Sequence, residues 1–489
     1  MRIYPTPKQT LFSGEEYIFG KLSVLTVGKD YCTQARAKLF QEFFKNFTGS
    51  VGHLQIVLTD EPTKTAVLSK TQCALHSVDT QGEDYCLKID GNGATIGFND
   101  ENSFARAFYT LLASIEVRNT YKGQEEFTLP IGEIKDSPVM GFRAVHFCVF
   151  QETRRVLLKK FIRLAAFLKY SHIVIEFWGT FRYQCCKYLS RKGAYTHADV
   201  KKLTAEASAL GLQVIPMLNI FGHAAQSRAL FGKHVVLDQA PWLAPLFDPS
   251  GWVWNIQNPE VKKLQEKMID ELLSCCGDGE YFLIGCDEPD GFGDIRTFHG
   301  KDKIKICCDY INSMSARLKK SGRQAMMWAD MLLWPNPEWK GCSCHGESLE
   351  QCERMLSELD KEIVLIDWEY NTLDENLPTS KYLADHGFEV VVAPWKNVPT
   401  TKIVAKNIKE NGYKGMMLTT WNSISQDIFI LPTGAIYAWN DGETAEYLMH
   451  GVNVGEENQA VVITSYLRRL YDVKGRYHDS GIKLTEIDK

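Results

Sequence analysis

The chain has 489 residues, with 55 basic and 60 acidic side chains and a net charge of −5. That length suits two or three domains, and an acidic balance with no long Lys/Arg run gives little support to a nucleic-acid partner. Residues Met1 to Tyr17 lack the apolar core of a signal peptide, and no uninterrupted apolar stretch of about 18 residues could cross a bilayer. The fourteen cysteines sit in apolar segments or as vicinal pairs (Cys185-Cys186, Cys275-Cys276, Cys307-Cys308). Those are not the spacings of a disulfide scaffold, so reduced thiols in a cytoplasm, with no membrane partner, are expected.

Residues 1–136 read as an N-terminal α/β domain. Ser23–Val27 and His53–Leu58 are strand-like and flank a helical pattern at Ala35–Phe47. Tyr85–Asp90 and Ala94–Phe98 enclose Gly91-Asn92-Gly93, a hairpin signature. An amphipathic helix over Glu101–Ile115 and a closing strand pair complete the unit, which ends near Asp136-Ser137-Pro138.

Residues 137–455 then repeat one pattern. Buried-strand candidates fall at Phe142–Phe150, His172–Trp178, Gln213–Asn219, Tyr281–Glu288, Ala325–Asp330, Ile363–Tyr370, Val390–Trp395 and Met416–Trp421. Helical stretches such as Thr153–Leu168, Ala198–Leu210, Pro259–Cys275, Ile304–Lys319 and Leu349–Leu359 lie between them. Eight strands alternating with helices predict an α/β protein built on a (β/α)8 TIM barrel behind the smaller N-terminal domain; a doubly wound sheet is the alternative. The longest gap follows the third strand, which makes the loop from Phe221 to Trp254 an enlarged rim element. Residues 456–489 form a C-terminal tail with a helix at Asn458–Leu470.

Strand C-termini share one mouth of such a barrel. They bring Trp178, Asn219, Asp287, Glu288, Trp328, Asp330, Asp367, Trp368, Glu369, Trp395 and Trp421 to the rim. Indole faces match the C–H faces of a pyranose, and carboxylates and amides take hydroxyls, so the mouth is expected to bind a small glycan. Glycoside hydrolysis ordinarily needs two carboxyl groups on opposite sides of the scissile bond. Neighbours such as Asp287 and Glu288 do not flank a bond that way. They suit a substrate whose 2-acetamido oxygen is the nucleophile, with one carboxylate orienting it and the other protonating the leaving oxygen. Cys342-Ser343-Cys344 with His345 offers metal-binding residue types, but no second ligand pair at zinc spacing follows. No metal is expected, nor an organic cofactor, since no glycine fingerprint follows an early strand.

In motif order and spacing the chain resembles the family-20 glycoside hydrolases, the β-N-acetylhexosaminidases, over most of its length. Gly285-Cys286-Asp287-Glu288 matches the family's Gly-x-Asp-Glu element, which implies that Asp287 orients the acetamido group and Glu288 is the general acid/base. Arg143, in Gly141-Phe142-Arg143, stands where the family places an arginine on sugar hydroxyls. Pro216 to His223 matches a Pro-Glu-x-Asp-x-Pro-Gly-His element, with Met217 for Glu and Asn219 for Asp. His223 would sit beside the general acid, and its acidic partner is either missing or supplied by Glu176. Trp328, Trp368 and Trp421, with Trp395 nearby, fall where the family lines its acetamido pocket. Ser423 replaces a hydroxyl-binding Glu, and the family's acetamido-binding tyrosine is not evident near Trp395. The resemblance implies an exo-acting β-N-acetylhexosaminidase using substrate-assisted retaining catalysis on terminal GlcNAc or GalNAc. Two alternatives are another retaining glycosidase, pairing Glu176 or Glu369 with Glu288, and a non-catalytic sugar-binding homologue.

Overall fold

The computed structural model describes residues 3, 5–48, 52–119, 125–224, 236–289, 298, 300–372, 374–422, 427 and 430–440. The N-terminal unit is a sheet in the order β1 (Gln9–Ile18), β8 (Glu125–Asp136), β5 (Tyr85–Asp90), β6 (Gly93–Phe98), β4 (Thr65–Ser69), β2 (Leu22–Gly28) and β3 (His53–Thr59), with β7 (Glu116–Asn119) beside β8. All its pairings are antiparallel except β2 with β3. That parallel pair needs a crossover, supplied by α1 (Gln34–Phe47). Thr33 caps α1 by accepting from the Arg36 N–H. Asp100 and Ser103 form a capping box at the start of α2 (Glu101–Ala113). Phe40 stacks on Phe108 with centroids 4.0 Å apart, so the two helices share an aromatic core. The strands β1 and β4 are absent from the sequence expectations; β1 is exposed at almost every position and carries no core-facing alternation.

The eight barrel strands are β9 (Phe142–Cys148), β10 (His172–Glu176), β11 (Gln213–Met217), β12 (Tyr281–Leu283), β13 (Gln324–Trp328), β14 (Val364–Trp368), β15 (Val390–Ala393) and β16 (Gly415–Leu418). They pair in parallel in chain order and close when β16 meets β9. All eight fall where the apolar runs predict them, and each stops two to five residues short of the expected end. Between them run α3 (Arg155–Phe167), α4 (His197–Ala209), α5 (Pro259–Cys276), α6 (Lys303–Lys320), α7 (Leu349–Glu358), α8 (Pro378–Asp385) and α9 (Val398–Asn411), and α10 (Leu431–Asn440) follows β16. The expected helix Asn458–Leu470 lies outside the described residues.

Inside the barrel, Phe142, Ala144, Val174, Ile215, Met217, Tyr281, Leu283, Met326, Trp328, Val364, Ile366, Val391, Ala393 and Met417 form one apolar column. Their alternation along each strand follows the pleat and fixes which rim residues point inward. The N-terminal unit docks on α3 and α4. Phe47 stacks on Phe167 with centroids 5.0 Å apart, Arg36 donates to the Ala209 carbonyl at 2.9 Å, and the Tyr109 hydroxyl donates to the Leu210 carbonyl at 2.8 Å.

Beneath the barrel, at the N-terminal ends of its strands, sits a buried charge cluster. Lys169 donates from Nζ to Asp136 at 2.7 Å and to the Tyr85 hydroxyl at 2.8 Å, and the Trp439 indole donates to Asp136 at 2.8 Å. Arg143 belongs to this end, which corrects the expectation that it binds sugar hydroxyls. It is out of phase with the inward-facing Phe142 and Ala144. Its guanidinium donates to the carbonyls of Lys169, Met140 and Gly141 at 3.0, 2.6 and 3.0 Å. The guanidinium also lies 5.0 Å from the Trp439 ring. Burial lowers its pKa to about 9, so the carbonyls and the indole take the place of water around the cation. Removing one member of a buried pair leaves an unpaired charge. Lys169→Met is therefore expected to lower unfolding free energy in urea by about 3–5 kcal/mol; a loss under about 1 kcal/mol would show that the cluster does not join sheet to barrel.

Candidate active site at the barrel mouth

The strand β12 ends at Leu283 because the chain then adopts φ values of +72° at Gly285, +78° at Cys286 and +40° at Glu288. The first is a glycine conformation; the other two cost about 1–2 kcal/mol each for residues with a Cβ. The turn draws the chain across the mouth until Asp287 and Glu288 face the loop after β11. Space there admits no side chain. A Cβ on Gly285 would lie 2.0 Å from Asn219 Oδ1, and one on Gly222 would lie 2.4 Å from the Asp287 carbonyl. This close approach gives the Gly222-His223 pair its physical meaning.

The strained residue is held from both sides. The Glu288 N–H donates to Asp330 Oδ2 at 2.9 Å, and the Trp252 indole donates to the Glu288 carbonyl at 2.7 Å. Asp330, only 1% exposed, also pairs with His345 Nδ1 at 2.9 Å. His223 Nε2 stands 3.0 Å from Asp287 Oδ2 and 3.7 Å from Glu288 Oε2, and its ring packs 4.4 Å from Trp252. One imidazole nitrogen thus reaches both carboxylates, so the two acids share one side of the mouth.

This geometry corrects the expected partner of His223. Glu176 accepts from Asn219 Nδ2 at 2.7 Å and faces His146 Nε2 at 3.0 Å. It is 1% exposed and supports the site from beneath, while His223 turns to Asp287. Asn219 in turn accepts from the Trp254 indole through its carbonyl at 3.0 Å. The enlarged loop after β11 therefore returns two tryptophans to the mouth, Trp252 to the backbone of the acid-bearing turn and Trp254 to the backbone of Asn219. Neither stood among the expected site residues.

Tryptophans wall the rest. Trp328 and Trp421 lie 5.7 Å apart, with His146 packed 4.6 Å from Trp421. Trp368 sits 4.8 Å from Tyr370, and Tyr370 lies 5.6 Å from Trp395. The Trp421 indole donates to the Tyr370 hydroxyl, and the Trp395 indole donates to Asp427 at 3.1 Å. The buried indole nitrogens of Trp328 and Trp368 make no hydrogen bond among the described residues. Ser423 and the side chain of Trp178 lie outside the described residues.

Tyr370, two residues past Trp368, is the tyrosine that the structure brings to this tryptophan wall. Burial raises its pKa well above the ordinary phenol value. Hydrogen bonds from Trp421 and Thr419 act against that shift, and Asp287 and Asp330 reinforce it. Tyr370 therefore stays protonated and remains a donor. Its signal in the sequence is a second aromatic at the spacing of the pleat, in phase with Trp368.

Glu369 does not reach the mouth, which removes it as a partner for Glu288. The pleat that turns Trp368 inward turns Asp367 and Glu369 outward, beneath α8. Thr379 Oγ1 lies 2.8 Å from Asp367 Oδ2 and 2.7 Å from Glu369 Oε1, and Cys342 Sγ lies 3.2 Å from Glu369. One hydroxyl carries one hydrogen, so one of the two Thr379 contacts uses a carboxyl proton. Burial raises Asp367 to about 6 and, with help from the Asp367 charge, Glu369 to about 8. Of the Cys342-Ser343-Cys344-His345 stretch, Cys342 is committed to Glu369 and His345 to Asp330. Among the described residues no group of three or more His, Cys, Asp and Glu could hold a metal ion.

An eight-stranded barrel carrying adjacent acids in a tryptophan-walled mouth is the build of a glycoside hydrolase. Residues 176–427 match the model of the glycosyl hydrolase family 20 catalytic domain, and residues 1–137 match glycosyl hydrolase family 20, domain 2. The chain belongs to glycosyl hydrolase family 20. It is similar to a lacto-N-biosidase of Bifidobacterium bifidum, at 25% identity over 304 residues, covering 58% of this chain and 25% of that protein. It is also similar to a beta-hexosaminidase of Porphyromonas gingivalis, at 24% identity over 315 residues, covering 57% of this chain and 39% of that protein. The matched segment thus spans well under half the length of either relative. The fold matches a beta-N-acetylhexosaminidase from Bacteroides fragilis with a TM-score of 0.65 and 15% identity, covering 96% of both chains. A GH20 exo beta-N-acetylglucosaminidase from Vibrio harveyi matches with a TM-score of 0.66 and 15% identity, covering 96% of this chain and 77% of the other.

The Asp367–Glu369 pair makes stability depend on pH. Both carboxyls bind protons more tightly folded than unfolded. Their contribution is complete below the ordinary carboxylate pKa of about 4 and is lost as pH rises through about 6 and about 8. Glu369→Gln is expected to flatten the fall in melting temperature across that window. Parallel melting curves for variant and wild type would show that the pair does not share a proton.

Proposed function

We propose that the protein is an exo-acting β-N-acetylhexosaminidase that cleaves terminal β-linked GlcNAc or GalNAc by substrate-assisted retaining catalysis. The observation that carries the reading is the shared imidazole: Asp287 and Glu288 both lie within ion-pair reach of His223 Nε2. Acids so placed cannot sit across a pyranose from one another, as ordinary double displacement requires. They can serve a substrate whose own acetamido oxygen attacks the anomeric carbon.

In that reading Asp287, 8% exposed at its side chain, orients the acetamido nitrogen and stabilises the positive charge that develops on the oxazolinium ring. Glu288, 24% exposed, gives its proton to the leaving oxygen and later takes one from water. Tyr370 donates to the acetamido oxygen while Trp328, Trp368 and Trp421 enclose the methyl group and ring face. Asp330 is a positioning residue, holding the Glu288 backbone in its left-handed conformation. The fourteen cysteines, most of them buried and none in a disulfide, support a reducing cytoplasm as the proposed compartment.

A panel of aryl glycosides tests the assignment, extended to both epimers at carbon 4. Turnover restricted to 2-acetamido sugars, with inhibition by a thiazoline mimic of the intermediate, is expected. Equal cleavage of plain glucosides or galactosides would overturn the reading, as would binding without turnover in the wild type. Glu288→Gln should lose about 10²–10⁴ in kcat on poor leaving groups and far less on activated aryl ones. Asp287→Asn should lose about 10²–10³ on both. For Asp330→Asn, kcat is expected to fall about tenfold with KM nearly unchanged, because ground-state contacts remain; a rise in KM alone would place Asp330 in sugar binding instead.

A further inference from the structure

A second cavity opens on the same face of the barrel, between the loops that follow β9 and β10. It measures about 310 Å3 and is lined by Phe150, Gln151, Thr153, Thr180 and Tyr195 together with four cations, Arg154, Arg155, Arg191 and Lys192. A single water occupies about 30 Å3 in the liquid, so the space suits a group the size of a sugar. No acid lines it. Two acids stand nearby: Asp199 pairs with Arg155 Nε at 2.8 Å, and Glu152 faces Arg191. Among the described residues the cations of the lining outnumber these acids, and Arg191 and Lys192 keep the cleft positive.

The cleft is built by tertiary contacts. The Tyr195 hydroxyl donates to the Thr153 carbonyl at 2.7 Å, joining the two loops. Phe181 bridges to Tyr195, and Arg155 donates to the Ala194 carbonyl at 3.0 Å while lying 4.8 Å from the Tyr195 ring. Arg191 donates from Nη1 to Gln151, but its Nε is buried with no hydrogen-bond acceptor among the described residues. Partial burial also presses its pKa below the ordinary guanidinium value. A desolvated cation with a spare donor gains most from an incoming anion. Arg154 occupies the N-cap of α3 without a side-chain cap, so the positive end of that helix adds to the field.

We propose that this cleft is a binding site for an oxyanion (sulfate, phosphate or carboxylate) borne on a sugar of the substrate outside the cleaved residue. The cleft begins just past Cys148 and Glu176, the last residues of β9 and β10, and Glu176 supports Asn219 at the catalytic mouth. A glycan bound at the mouth can therefore extend across this rim and place its charge beside Arg191 and Lys192. The link to turnover rests on the hexosaminidase reading; anion binding itself does not.

Titration calorimetry of the full chain with inorganic sulfate, inorganic phosphate and glucuronate separates the three chemistries. At least one is expected to bind saturably. Arg191→Ala/Lys192→Ala should weaken it by about tenfold or more, and Arg191→Lys should restore part of the loss. Thermal melting of each variant shows that it is folded. The rate on a neutral aryl 2-acetamido glycoside should be unchanged in the double variant. On paired substrates with and without an anionic group on the leaving sugar, wild type should favour the charged one, and the double variant should lose that preference. The proposal is overturned if none of the three probes binds saturably, or if binding is the same in both variants. Intact anion binding without turnover of the neutral glycoside would support the anion site and sink the hexosaminidase reading instead.

Discussion

The active mouth depends on one backbone event, the departure of the chain from β12 after Leu283. Left-handed φ values at Gly285, Cys286 and Glu288 carry Asp287 and Glu288 sideways over the barrel, against the loop that holds His223. Were β12 to continue as a regular strand, alternate residues would point to opposite faces and only one acid could face the mouth. The turn costs conformational energy, and the surrounding structure is arranged to sustain it. Asp330 takes the Glu288 N–H, Trp252 takes its carbonyl, and the missing side chains at Gly222 and Gly285 let two loops touch.

Strand parity sorts everything else at the rim. The inward column contains Val364 and Ile366 with Trp368 packed on it, so Asp367 and Glu369 must face the helices. There they are buried beside Thr379, Ser380 and Cys342 and raised in pKa. The same rule removes Arg143, out of phase with Phe142 and Ala144, and admits His146, which meets Trp421 and Trp328. Charged residues that look alike in the sequence are thus divided by the pleat into those that can meet a ligand and those that hold the scaffold.

Much of this was legible before any coordinates. Eight continuous apolar runs separated by helical patterns give the barrel, since strands buried on both faces read that way, and the Asp287-Glu288 pair lies where the fourth run ends. The strand ends were read too long because an apolar run does not show where φ changes sign; Gly285 was the only local clue. Arg143 was misplaced because matching a motif fixes position along the chain but not the side of the strand. The partner of His223 is left open by the sequence for a different reason. Its choice between Glu176 and Asp287 is settled by Asn219 and His146, which occupy Glu176 from the loop after β11 and from β9, and no local pattern encodes that. Tyr370 was readable from pleat spacing beyond Trp368.

The two neighbouring acids meet different surroundings, which suit the different roles proposed for them. Both approach His223, yet Asp287 is the closer and the more buried, while Glu288 is three times as exposed and is held through its backbone. Fixing a residue by its main chain leaves its side chain able to move a proton between a leaving group and water. A residue that must keep an ionised carboxylate against a developing cation gains instead from a charged or polar partner on the carboxylate itself. Each acid carries the restraint that its proposed task requires, and a single left-handed turn in the chain supplies both.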